Sequence, residues 1–370
     1  MNVSVPVSKA VTKTCDCGFD VSCYQLIHAN HPLVSRGLRL PARKLAAGFA
    51  SLDRKDPSVK SSHRERNRFT RRQFIQTSAL AGAALLSPWP VAQSVAAAVP
   101  TTARTAVDQV ALGQTGLKLS RLGFGTGSNS GHEQTALGKA DFTKLIHYAY
   151  DQGITYFDCA QAYSTFEWMG DAIKGLPREK LFIQSKIPGQ PGDVLAAIDH
   201  HRKVFNTDYV DSLLIHCMVK HQWTDDWKRI MDGFNEAKEK QWIRAKGVSC
   251  HSLPALRAAS ASDWTEVHLV RVNPQGKRMD GEAEETWNNA DPTHEVAPVM
   301  AEIKTIHAKG RGVIGMKIIG NGQFVNAEDR ERSIRFAMSC RDIDAVVIGF
   351  TSRAQVDEAI ERMDRALKEV

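Results

Sequence analysis

Apolar and polar positions along this chain fall into two textures. From Val107 onward, short strand-like apolar runs alternate with longer stretches whose apolar residues recur at i, i+3, i+4 and i+7. The runs predict strands over 121–127, 155–159, 181–186, 212–216, 245–249, 266–273, 312–318 and 345–349. The periodic stretches predict helices over 142–151, 166–174, 191–204, 224–240, 253–260, 294–308, 328–340 and 353–368, with Val296, Val299, Met300 and Ile303 as one helical stripe. Ahead of them VALGQTGLKLS (110–120) reads as a short β-hairpin turning at Gly113–Gly116. Eight strand–helix pairs in roughly 260 residues fit a single closed (β/α)8 TIM barrel over 107–370 better than a doubly wound sheet. An open dinucleotide-binding sheet would carry an early GxGxxG, and GFGTGSNS (123–130) lacks the third glycine.

The first 98 residues have no such period. Residues 1–62 are rich in Ser, Lys and Arg and are expected to be a disordered leader, or to precede the true start of translation. Residues 63–98 carry a basic stretch with Arg71 and Arg72 in TRRQFIQ (70–76), an apolar run over 79–86, and Ala96-Ala97-Ala98. A basic region, a short apolar region and a small-residue cleavage site, in that order, make an export signal, and the arginine doublet before an aromatic makes it the twin-arginine kind. The expected partner is therefore the twin-arginine translocation machinery, and the expected location periplasmic or otherwise exported. The bland alternative is a chance arginine pair in a basic tail. The apolar run is far shorter than the ~20 residues that span a bilayer, so no permanent membrane span is expected.

Charge follows the same division. The chain's net +7 comes from the leader, where residues 1–98 hold 14 Lys and Arg against 5 Asp and Glu, whereas residues 99–370 hold 34 against 36. A barrel with a slightly negative balance has no electrostatic footprint for nucleic acid. Cys15, Cys17 and Cys23 lie in the leader and Cys159, Cys217, Cys250 and Cys340 in the body, with no CxxC pair, so no metal knuckle or dithiol is indicated. The three thiols Cys159, Cys217 and Cys250 read as small core residues, some of them turned from the barrel axis by strand alternation.

Barrel enzymes put reacting groups at the carboxyl ends of strands. Asp158, Lys186 and His216 end successive predicted strands, and Tyr163 follows Asp158 by five residues. A buried Lys186 requires a counter-charge, which Asp158 supplies. A tyrosine beside that ammonium is expected to hold its proton less tightly than an isolated phenol, moving toward the range of a working acid. His216 is placed to hydrogen-bond and orient a carbonyl oxygen. Singly, each has an ordinary structural explanation; together at strand ends they form a catalytic candidate.

These residues resemble the aldo-keto reductase family. FDCAQAY (157–163) is similar to its D-x-A-x-x-Y segment, FIQSKI (182–187) to the strand bearing its catalytic lysine, and DYVDSLLIH (208–216) to the run leading to its active-site histidine. VVIGFTSRAQVDEAI (346–360) resembles the segment that wraps the adenosine half of the cofactor. The resemblance covers about residues 109–365. It implies Tyr163 as proton donor to an aldehyde or ketone, with Lys186 and Asp158 tuning it and His216 orienting the small-molecule carbonyl substrate. It implies hydride delivery from a nicotinamide cofactor, NADP in preference to NAD, held by Gly125, Thr126, Ser249, Cys250, Lys317, Gly349, Ser352, Gln355 and Glu358. The sequence departs from the family at Cys250 and Ala359, where Asn is usual, at Arg271, where Gln commonly binds the carboxamide, and at Met316 and Lys317, where an aromatic and Ser are usual. Lys317 as a point charge facing a phosphate is one reading of its change and a loop-edge lysine the other. Two other classes stay open: a nucleotide-binding barrel acting as sensor or partner subunit, and a metal-dependent barrel isomerase or hydrolase using Asp158, His216 and His251.

Overall fold

The computed structural model describes residues 104–284 and 293–370. The expectations for residues 1–62 and 63–98 lie outside the described residues.

The hairpin pairs β1 (Gln109–Ala111) antiparallel with β2 (Lys118–Ser120). Eight parallel strands follow: β3 (Leu122–Gly125), β4 (Tyr156–Asp158), β5 (Phe182–Ile187), β6 (Val210–Met218), β7 (Ile243–Cys250), β8 (Val267–Arg271), β9 (Gly312–Met316) and β10 (Ala345–Gly349). They close into a barrel through the pairing of β10 with both β9 and β3. The helices α1 (Lys139–Asp151), α2 (Phe166–Ala172), α3 (Val194–Val204), α4 (Lys228–Glu239), α5 (Leu253–Ala261), α6 (Ala297–Ala308), α7 (Ala327–Ser339) and α8 (Arg353–Lys368) alternate with them. The (β/α)8 barrel read from the apolar period is the fold observed. Several helix ends shift by one to three residues, and two of the differences have a local cause. The helix predicted over 224–240 breaks at Trp227, which leaves helical geometry at φ −106° and ψ 15°. The helix predicted from 294 begins at Ala297, with Pro298 in its first turn, where a missing N–H costs nothing.

Strand alternation divides the apolar residues into two layers. Phe124, Phe157, Ile183, Ile215, Val248 and Val270 face outward against the helices. Tyr156, Phe182, Leu214, Leu269, Ile314 and Val347 fill the barrel with the hairpin residues Leu112, Leu117 and Leu119. The hairpin is thus a plug at the strands' amino ends. Ser120 Oγ accepts from the amides of Thr155 and Tyr156, and Gly113 N donates to Asp344 Oδ2 at 3.1 Å. Gly123 makes room for the central Tyr156, since a β-carbon there would lie 2.1 Å from its ring. With one end packed solid, polar chemistry is confined to the other. Among the described residues no helix is long and apolar enough to cross a membrane.

Candidate active site

Registry sets the site at the carboxyl end. Asp158 pairs with Gln184 across β4 and β5, and Lys186 lies two residues further on the same inward face. The lysine reaches back, with Nζ donating to Asp158 Oδ1 at 2.8 Å, to Oδ2 at 2.7 Å and to Cys159 O at 2.8 Å. Gln184 Nε2 donates to the same Oδ1 at 2.8 Å. Lys186 is 1 % exposed, so this saturated ammonium is a buried, paired charge of the kind that geometry alone makes tolerable. The Tyr163 ring lies over it, its centroid 5.0 Å from Nζ. The same ring meets His216 edge-on, with centroids 5.6 Å apart and planes at 79°. Gly127 permits this placement: a β-carbon there would fall 2.4 Å from two ring carbons of Tyr163.

One expectation about this group reverses. Lys186 does not loosen the phenol's proton, because Asp158 and Cys159 take up its hydrogens. Burial pushes Tyr163 well above the ordinary phenol range, and the Asp158 charge adds to that. The phenol is therefore a full proton reservoir at neutral pH. Burial likewise holds His216 well below the usual imidazole range, with Lys186 and Lys317 adding to the shift. It is a neutral imidazole whose Nδ1 is buried without a partner.

A cleft runs from Asp158 and Tyr163 along Gly125, Gly127, Lys317, Gly349, Thr351 and Gln355. A second cavity continues from Gly322, Gly349 and Gln355 past Phe350 to Glu358 and Ala359. Of the residues expected to hold a cofactor, Gly125, Lys317, Gly349 and Gln355 line the first and Glu358 the second. Ser352 lies outside both linings; it caps α8, its Oγ accepting from Gln355 N at 3.3 Å. Ser249 faces the barrel but its hydroxyl accepts from Cys217 N at 3.0 Å. Two of the expected residues turn their side chains from the cleft. Cys250 points the opposite way from Ser249, as alternation requires, and packs in the outer apolar layer. Thr126 is fully buried and turned from the cleft, its Oγ1 and N both donating to Asp158 O. Glu358 reaches its cavity already paired with Arg330 and Arg362.

The pattern of the Aldo/keto reductase family matches residues 121–369. The chain belongs to that family. Bacillus halodurans aldo-keto reductase has the same fold at TM-score 0.55 and 15% identity, covering 72% of this chain and 96% of that one. A thermostable aldo-keto reductase superposes at TM-score 0.53 and 19% identity, covering 71% and 99%. Among curated relatives, glyoxal reductase of Bacillus subtilis is 33% identical over 112 residues, 29% of this chain and 39% of that protein. NADPH-dependent codeinone reductase 1-5 of Papaver somniferum is 30% identical over 185 residues, 43% and 56% respectively. The chain thus spans between 35% and 56% of the length of the curated relatives it matches.

A second polar group lies at the carboxyl ends of β6, β7 and β8. Arg271 Nη2 lies 2.7 Å from His251 Nδ1, and Arg271 Nη1 lies 3.3 Å from Asp280 Oδ1. Cys217 Sγ lies 3.7 Å from His251 Nε2. Burial raises Asp280 to about 7 even beside this arginine. Cys217 and Arg271 lie on β6 and β8, His251 directly follows β7 and Asp280 lies in a loop, so no local spacing announces them.

Proposed function

We propose that this barrel reduces an aldehyde or ketone with a nicotinamide cofactor, NADPH in preference to NADH. The observation that carries the reading is a protonated phenol, Tyr163, set between a neutral histidine and a paired lysine at the end of a long cleft. Four glycines bare the backbone on the wall of this cleft, and its far end opens into the cavity at Phe350 and Ala359, which supports an extended dinucleotide as its occupant. Lys317 would face a phosphate from the cleft's middle, and Gln355 and the start of α8 would hold the adenosine half. When bound, the cofactor supplies the hydride. His216 orients the carbonyl by hydrogen bonding to its oxygen, and Tyr163 gives that oxygen its proton. Lys186, close to the ring, offsets the charge left on the phenol oxygen. The glyoxal and codeinone reductases among its relatives support carbonyl reduction, and a relative in Schizosaccharomyces pombe is an NAD/NADP-dependent indole-3-acetaldehyde reductase.

The metal-dependent reading loses its carboxylate, since both Asp158 oxygens accept from Lys186. The sensor reading draws on Arg271, whose guanidinium meets His251 and Asp280 where family members commonly offer a glutamine. Titrating purified protein with NADPH by fluorescence and supplying an aldehyde separates these: binding with turnover is expected, binding without turnover supports the sensor, and neither sinks the reductase. We also propose export by the twin-arginine machinery to the periplasm or its equivalent, supported by the order of elements over 63–98. A mass spectrum of the exported protein beginning near Ala98 is the expected result; an intact leader contradicts it.

A further inference from the structure

We infer that Cys217 is a hydroperoxide-reactive thiol built into the wall of the carbonyl site, and that its oxidation to a sulfenic acid closes that site. Arg271 Nη2 faces His251 Nδ1 at 2.7 Å, and a guanidinium has hydrogens to give and no lone pair to offer. Nδ1 is therefore the acceptor and carries no proton. A neutral imidazole keeps one hydrogen, which must sit on Nε2. That nitrogen is 3.7 Å from Cys217 Sγ, so the imidazole donates and the sulfur accepts. The opposite arrangement, S–H donating to Nε2, would put a hydrogen on Nδ1 against the arginine's own. Protonation of the ring to imidazolium meets the same clash, and burial and Arg271 both hold His251 well below the usual imidazole range.

A sulfur fixed as acceptor is a sulfur whose charged form is favoured, and the charged form is the nucleophile. Its surroundings point the same way. Cys217 sits at φ +62° at the strand end, half-buried, immediately after His216. Tyr163 and Lys317 both lie within electrostatic reach of this sulfur. The remaining described cysteines lack this setting. Cys159 and Cys250 are 0 % and 1 % exposed in the apolar layer, and burial pushes the thiol of half-buried Cys340 up.

In the reaction a sulfur electron pair attacks one peroxide oxygen, the O–O bond breaks, and the thiol proton leaves with the other oxygen as water. Sulfur is oxidised by two electrons and the hydroperoxide reduced by two. The added oxygen then lies against the His251 imidazole, whose ring centroid is 6.4 Å from that of His216, one of the groups proposed to receive the substrate carbonyl. This second half rests on the proposed function; the thiol chemistry does not.

The test treats the full chain with hydrogen peroxide and dimedone and maps adducts by peptide mass. Cys217 is expected to gain the adduct well before Cys340, and peroxide-treated protein to lose aldehyde reduction that dithiothreitol restores. His251→Phe, which removes the donor, is expected to slow the adduct about tenfold, while His251→Gln, which keeps an N–H, slows it less. Circular dichroism checks both folds, and the Cys217-to-Cys340 comparison within the native chain needs no variant. Equal labelling of the two cysteines overturns the reactive thiol. Peroxide inhibition that persists in Cys217→Ser overturns the closure. Absence of turnover in untreated protein is a failure of the reductase reading and takes the closure with it, while the adduct at Cys217 stands or falls by itself.

Discussion

Lys317 offers a prediction whose size follows from its surroundings. The lysine lines the cleft, half-buried, with Nζ donating to Asn321 Oδ1 at 2.8 Å. Burial lowers it from 10.5 to about 8, helped by the cations Arg271 on β8, Arg278 in the following loop and Lys186 on β5, and opposed by Cys217 on β6. Below pH 8 both folded and unfolded chains carry the proton, and the folded state bears the full penalty. Between about 8 and 10.5 the folded lysine sheds its proton while the unfolded one keeps it, so stability contributed by this site rises with pH. That interval, at about 1.4 kcal/mol per pH unit, is worth about 3 kcal/mol, and about 2 after discounting for water around a half-buried group. In Lys317→Met the backbone strain at φ +61° stays and the charge goes. Urea denaturation from pH 7 to pH 10 is the assay. The variant is expected to be the more stable at pH 7 by about 2 kcal/mol relative to their difference at pH 10. Parallel pH profiles for the two proteins would refute the reasoning. If the lysine meets a phosphate, NADPH affinity in the wild type also falls as pH rises through about 8 and stays flat in the variant.

Three further outcomes follow from the packing. Asp158→Ala leaves the 1 %-exposed Lys186 ammonium without its counter-charge and should lower stability by about 3–5 kcal/mol at neutral pH, read by denaturant midpoint. Gly127→Ala puts a methyl 2.4 Å from the Tyr163 ring; displacement of the phenol should cut kcat by about a hundredfold, and an unchanged kcat would show that the ring has no fixed post. Leu112→Ala opens the hairpin plug at the amino end and should cost about 2–5 kcal/mol in thermal or chemical unfolding while leaving kcat alone.

The barrel could be read from the chain because its strands are apolar on both faces and separated by amphipathic helices, a pattern with one closed solution. The group Asp158–Tyr163–Lys186–His216 was also visible, since Asp158, Lys186 and His216 lie toward strand ends, Tyr163 follows in the loop after β4, and these ends converge once the barrel closes. What resisted reading was direction and competition. Thr126 and Cys250 lie beside site residues in sequence, but a single step along a strand turns the side chain to the other face. The Tyr163 phenol was expected to soften beside Lys186; only the coordinates show that Asp158 and Cys159 take up that ammonium's hydrogens. The Cys217–His251–Arg271–Asp280 chain joins β6, β7, β8 and the loop after it, a contact set that no sequence window contains.

The central claim is that Tyr163 gives a proton to a carbonyl oxygen in a barrel that binds NADPH. The most direct measurement follows NADPH oxidation with a saturating aldehyde, and NADPH binding by fluorescence, in the wild type and in Tyr163→Phe. The account predicts binding within a few-fold in both proteins and turnover lower by about 10² to 10⁴ in the variant, the usual contribution of a positioned acid. Turnover retained in Tyr163→Phe, or its absence in a wild type that binds NADPH, would contradict it.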